Sequence, residues 1–174
     1  MLINPNPAVT DLPTGAIAQT FERRNGMGSQ ASTSGRLLLA GIYLRAGTVI
    51  TTITFASSST AMSGGTHGWA ALYNPSLGLM AQSADDTGIT WGANVNKTFT
   101  LSAPQTLTVT GWHYVGVMVT VTTTMPTLAS LVVIANTAQA SPSVGGLSDT
   151  GLTTTAPATA TAPSSFIIPW AMVA

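Results

Sequence analysis

The sequence predicts an all-β fold, a jelly-roll-like antiparallel β-sandwich preceded by an extended N-terminal arm. Three observations carry that prediction. Apolar residues alternate with threonines over short runs, which is the period of a strand with one buried face. Gly, Pro, Asn and Ser punctuate those runs at intervals suited to turns, and no segment shows a helical period.

Residues 1 to 34 read as the arm. They hold Pro5, Pro7 and Pro13, no sustained period, and the polar stretch ERRNGMGSQASTSG with Glu22, Arg23 and Arg24. Proline restricts the backbone and removes a donor, so such a segment tends to lie extended on another surface. Residues 35 to 174 form the predicted sandwich domain. In it GRLLLAGIYL is a buried strand, with Gly41 marking a bulge or a close backbone approach. The turn Arg45-Ala46-Gly47 leads to TVITTITFA, where Val49, Ile53 and Phe55 are assigned to one face and Thr48, Thr52 and Thr54 to the other.

SSSTAMSGGTHG reads as a loop, WAALY and LGLMAQS as a hairpin about Asn74-Pro75-Ser76, and ADDTGITWGAN as a polar loop. KTFTL points Phe99 and Leu101 inward, SAPQ turns the chain, and TLTVTG points Leu107 and Val109 inward. In GWHYVGVMVTV, His113, Val115, Val117, Val119 and Val121 share one face, with Trp112, Tyr114, Gly116 and Met118 on the other. A strand apolar on both faces needs a second cover, either a second layer or a neighbouring subunit, and Trp112, Tyr114 and Met118 are the candidate interface residues. LASLVVIA is a further strand, the Thr/Ala/Pro-rich stretch 136 to 165 a surface connection, and FIIPWAMV the last strand.

Composition bounds the function. Only 6% of the 174 residues are charged, against about 25% in ordinary soluble domains, while hydrophobic residues make up 45% and the formal net charge is zero. No broad field exists to attract nucleic acid or an anionic membrane, and no apolar run spans a bilayer. A near-neutral surface favours association, so much of it is expected to lie against partner chains. Cysteine is absent, which removes disulfides and thiolate chemistry. The opening MLINPNPAVT lacks the basic and apolar regions of a secretory signal.

Catalytic candidates are sparse. His67 sits in a Gly-rich stretch and His113 at a strand start, too few ligands for a zinc site. Asp85 and Asp86 are adjacent, so on extended chain they face opposite ways and cannot form a facing carboxylate pair; no calcium-loop pattern surrounds them. No serine sits in G-x-S-x-G, and the G-x-G-x-x-A match at 26 to 31 lacks the strand before it and the helix after it. Asn96-Lys97-Thr98 fits the glycosylation pattern without a secretory context. Of Trp69, Trp91, Trp112 and Trp170, Trp91 in TGITWGAN is expected to be the most exposed. With Asp85 and Asp86 it forms a candidate glycan contact. No catalytic residue, metal or cofactor is assigned.

LLLAGIYLRAGTVITTITFASSSTA, HGWAALYNPSLGLMAQSADD and TGWHYVGVMVTVTTTMPTLAS, in this order over roughly residues 35 to 135, resemble the small β-sandwich virion proteins of tailed bacteriophages, particularly those of actinobacteria. The resemblance implies a structural role without catalytic residues: capsid decoration, or a minor tail or fibre component, assembled as a homotrimer. It also implies assembly in the host cytoplasm and a final place on the particle surface. The arm, through Pro5, Pro7, Pro13, Arg23 and Arg24, is expected to dock on the major capsid protein or on tail proteins.

Overall fold

The computed structural model describes residues 12–22, 28–132, 144–164 and 167–174. It is all-β, and no helix occurs among the described residues. Its strands are β1 Ala18–Gln19, β2 Gly28–Ala31, β3 Leu38–Leu44, β4 Val49–Ala56, β5 Ser63–Tyr73, β6 Leu79–Gln82, β7 Asn96–Thr106, β8 Gly111–Thr124, β9 Thr127–Val132, β10 Gly145–Leu147, β11 Ile167–Pro169 and β12 Ala171–Val173. Every pairing between them is antiparallel. They build a five-stranded sheet β10-β3-β8-β5-β6, a four-stranded sheet β1-β12-β4-β7 and a three-stranded sheet β11-β9-β2.

The main core lies between the two larger sheets. Leu38, Ala40, Ile42, Val115, Val117 and Val119 from β3 and β8 meet Ile53, Phe55, Phe99, Leu101 and Val173 from the facing sheet. This is the face that alternation assigns in β8, His113 included, which is 1% exposed. Gly41 is a close approach: its N–H donates to the Val144 carbonyl at 2.7 Å, and a Cβ there would stand 3.0 Å from that oxygen. The β3–β8 register runs unbroken from Leu38↔Val117 to Leu44↔Gly111, so no bulge is present.

Four local expectations are corrected. In β4 Ile53 and Phe55 lie in the main core as assigned, but a register shift between Ile50 and Thr52 reverses the alternation ahead of it. Ile50 is therefore fully buried and Val49 is 44% exposed, while Thr54 is also buried, 2.7 Å from the Thr98 hydroxyl. SGGTHG is the first half of β5, not a loop. Its glycines serve close approach, since a Cβ on Gly65 would overlap the Ile89 carbonyl and one on Gly68 the Ile89 side chain.

SAPQ continues β7, because β7 is an edge strand and an edge tolerates Pro104. The chain leaves the strand at Leu107, which stays buried, while Val109 is 53% exposed. FIIPWAMV is divided between two sheets. β11 pairs with β9, β12 pairs with β4, and buried Trp170 marks the crossing.

Of the stretch 1 to 34 expected as an arm, Ala18–Gln19 pairs with β12 and Gly28–Ala31 with β9, so both belong to the sandwich. Pro5, Pro7, Arg23 and Arg24 lie outside the described residues, and Pro13 is exposed at a turn that returns to Ala16.

The largest correction concerns the second face of the five-stranded sheet. Leu37, Leu39, Trp69, Tyr73, Tyr114 and Met118 form a separate core, covered by Leu152, Ala156 and Ala160 from the Thr/Ala/Pro-rich stretch. Tyr114 and Met118, expected at a subunit interface, are thus 2% and 1% exposed within one chain. Ordering such a cover costs roughly 1–2 kcal/mol of backbone entropy per residue. Burying the side chains beneath returns about 1.5–3 kcal/mol each, and polar contacts hold the cover down. Trp69 Nε1 donates to Thr153 O, Gln82 Nε2 to Thr154 O and Ala156 N to Gln82 Oε1, at 2.8, 2.9 and 2.7 Å.

Candidate functional site

Asp149 closes the base of this cover. Its carboxylate accepts the Thr161 N–H at 3.0 Å and the Thr161 hydroxyl at 2.7 Å. Ser148 Oγ stands 2.8 Å from the carboxylate and 2.6 Å from the Thr161 carbonyl, with one hydrogen to give to either. Desolvation opposes the charge on Asp149, but these hydrogen bonds outweigh it and hold the carboxyl below its usual value. The Tyr73 hydroxyl is buried without a hydrogen-bond partner among the described residues. Burial, and then the charge of Asp149, push its pKa well up, so it stays neutral. This cluster is a structural clamp.

The polar loop is equally committed to structure. Asp85 Oδ2 lies 2.7 Å from His67 Nδ1, and Asp85 Oδ1 accepts the Gly68 N–H at 3.1 Å. Asp86 takes Lys97 Nζ at 3.1 Å and the Gly88 N–H at 3.3 Å. Trp91, expected to be the exposed indole of a glycan contact, is 2% exposed. It donates to the Val95 carbonyl at 3.2 Å and meets Phe99 edge-on at 6.2 Å. The three residues therefore form no sugar platform: the indole faces the core and the two carboxylates hold backbone and Lys97. His113 is buried beside the Gly111 carbonyl. Gly28–Ala31, the end of the glycine match, is strand rather than phosphate loop. Among the described residues no group of three or more His, Asp or Glu comes together to hold a metal, and no helix is long and apolar enough to cross a membrane.

What remains open is one end of the five-stranded sheet. Trp112, the third residue expected at an interface, is 40% exposed, and Tyr43 is 56% exposed. They are the two exposed large aromatic side chains among the described residues. The pair is set by register, Tyr43↔Trp112 being cross-strand neighbours of β3 and β8, with rings 5.8 Å apart at 82°. They share the face of Leu39 and Tyr114, but sit beyond the part that 152 to 160 covers. Exposed Val144 adjoins them, since a Cβ on Gly41 would touch both Val144 and the Trp112 ring.

Tyr43 and Trp112 line a groove of about 500 Å³ together with Leu12, Ile17, Phe21, Glu22 and Arg45. Sequence reasoning missed Tyr43. Its alternation with Leu37 and Leu39 marks the face, but not that the cover ends short of it. No family model matches the chain, and no curated protein matches it.

Proposed function

We propose that this chain is a structural protein of a tailed-phage particle, a homotrimeric capsid decoration protein on the particle surface without enzymatic activity. The observation that carries the reading is the Tyr43–Trp112 surface. It is an uncovered aromatic pair at one end of a sandwich whose other large apolar face is closed by its own chain, in a molecule with 6% charged residues. Exposed aromatics beside aliphatics are the composition of a contact centre, and the scarcity of charge limits the desolvation penalty of burying that region. The strand motifs resembling phage sandwich proteins support the same role. Asp85, Asp86 and Asp149 are bonded to backbone or to neighbouring side chains, so these carboxylates serve the fold.

The test is to express the chain and determine its mass by light scattering, then sediment it with tailed-phage particles assembled without it. A trimer that co-sediments at saturable stoichiometry is expected, with antibody labelling on the head. Labelling on the tail would convert the assignment to a minor tail component. A monomer that never associates with particles would overturn the reading.

A further inference from the structure

We propose that a second pocket, lined by buried His113, binds a neutral hydroxyl-bearing molecule of monosaccharide size. The pocket has a volume of about 280 Å³ and lies between the turn 74 to 78 and the connection 107 to 110. Its lining shares no residue with the Tyr43–Trp112 groove. His113 is on the face of β8 opposite Trp112, so the two surfaces are separate.

The imidazole is the group that calls for a ligand. His113 is 1% exposed, and its Nδ1 donates to the Gly111 carbonyl at 3.2 Å. A carbonyl only accepts, so Nδ1 carries the hydrogen and the neutral ring keeps a bare lone pair on Nε2. Among the described residues nothing donates to that atom. A buried acceptor without a donor is costly, and the pocket that His113 lines is the way by which one reaches it.

The other lining groups select the class. Asn74 Oδ1 already accepts the Ser76 and Gly78 N–H groups at 2.8 and 2.9 Å, so what Asn74 has left to offer is its amide hydrogens. A ligand must therefore donate at His113 and accept at Asn74. A hydroxylated ring does both, and Ser76 and Thr108 add hydroxyls of their own. No Asp, Glu, Lys or Arg lines the pocket, which leaves a charged ligand without a counter-ion and a hard metal ion without a carboxylate. Pro75, Met80 and Val109 supply an apolar surface on which the C–H groups of a ring can pack.

The test is nitrogen-15 NMR of the full chain, read at the histidine rings and the Asn74 amide. Glycerol and the methyl glycosides of glucose, galactose, mannose and N-acetylglucosamine are added in turn, and His67, whose Nδ1 is held by Asp85, is the internal control. With at least one sugar, a saturable shift of His113 Nε2 and Asn74 Nδ2 is expected while His67 stays unmoved. His113→Asn keeps a donor for the Gly111 carbonyl but lacks Nε2, and should abolish the Asn74 response. Near-ultraviolet circular dichroism checks its fold; if that variant unfolds, Thr108→Val on the exposed turn decides, with affinity expected to fall about three- to tenfold. No shift with any sugar at any attainable concentration would overturn the proposal, as would an equal shift at His67. An unchanged Asn74 response in folded His113→Asn, or unchanged affinity in Thr108→Val, would do the same. A shift produced by silver ion and by none of the sugars would assign His113 and Met80 to a soft metal instead, and overturn it as well.

Discussion

Asp149 shows how a single residue decides whether a low-complexity stretch has a structure. Its carboxylate ties Thr161 and Ser148 together across twelve intervening positions, the ends of the segment that covers Trp69, Tyr114 and Met118. Because the folded carboxyl lies below its ordinary value, the stabilisation is fully present above about pH 4 and fades as pH falls through the lowered value. Asp149→Asn is expected to lower stability by about 1–2 kcal/mol at neutral pH, after allowing for solvent access to the site. Thermal or urea unfolding measured from pH 7 to pH 2 should show the gap between wild type and variant closing in acid.

At the scale of elements, the two apolar faces of β8 are covered differently, one by the opposing sheet and one by residues 152 to 160. Gln82 is the side-chain link between that cover and β6, through one donated and one accepted hydrogen bond. Gln82→Ala is predicted to cost about 1–2 kcal/mol and to raise binding of a hydrophobic dye as Trp69 and Met118 become accessible, while far-ultraviolet dichroism stays unchanged.

In β5, Gly65 allows the Ile89 carbonyl to lie against the strand. Gly65→Ala should therefore destabilise by at least about 1–3 kcal/mol through overpacking, against near-neutrality for Gly88→Ala, where a Cβ meets nothing within 4 Å. Chemical unfolding of the two variants side by side checks this.

For the whole molecule, the near absence of charge makes a statement about association. Five basic and five acidic residues cannot supply a long-range field. Self-association and particle binding are therefore expected to change less than about twofold between 50 and 500 mM NaCl, where a charge-driven contact would weaken steeply. Light scattering and co-sedimentation across that range measure it.

Alternation and turn residues were enough to read the all-β class and the inward face of β8, because strand period is a local property, whereas Gly41 was legible only as a bulge or a close approach and the structure shows the second. In β4 the inward placing of Ile53 and Phe55 was legible but that of Val49 was not, since a bulge between Ile50 and Thr52 shifts the phase ahead of it without altering composition. Nor was the strand character of SGGTHG, where glycine signals proximity to Ile89 rather than a turn.

The candidate site was half legible. Trp112 was singled out on a face known to be apolar, whereas Tyr43 acquires meaning only as its cross-strand partner. By itself the sequence determined that this protein folds as sheets with a charge-poor exterior and a β8 apolar on both sides. Only the tertiary structure decided which part of that second side is closed from within, over Tyr114 and Met118, and which is left open, at Tyr43 and Trp112. The reason is that the cover is made by residues distant in the chain, whose Thr, Ala and Pro acquire a conformation only from the surface on which they lie.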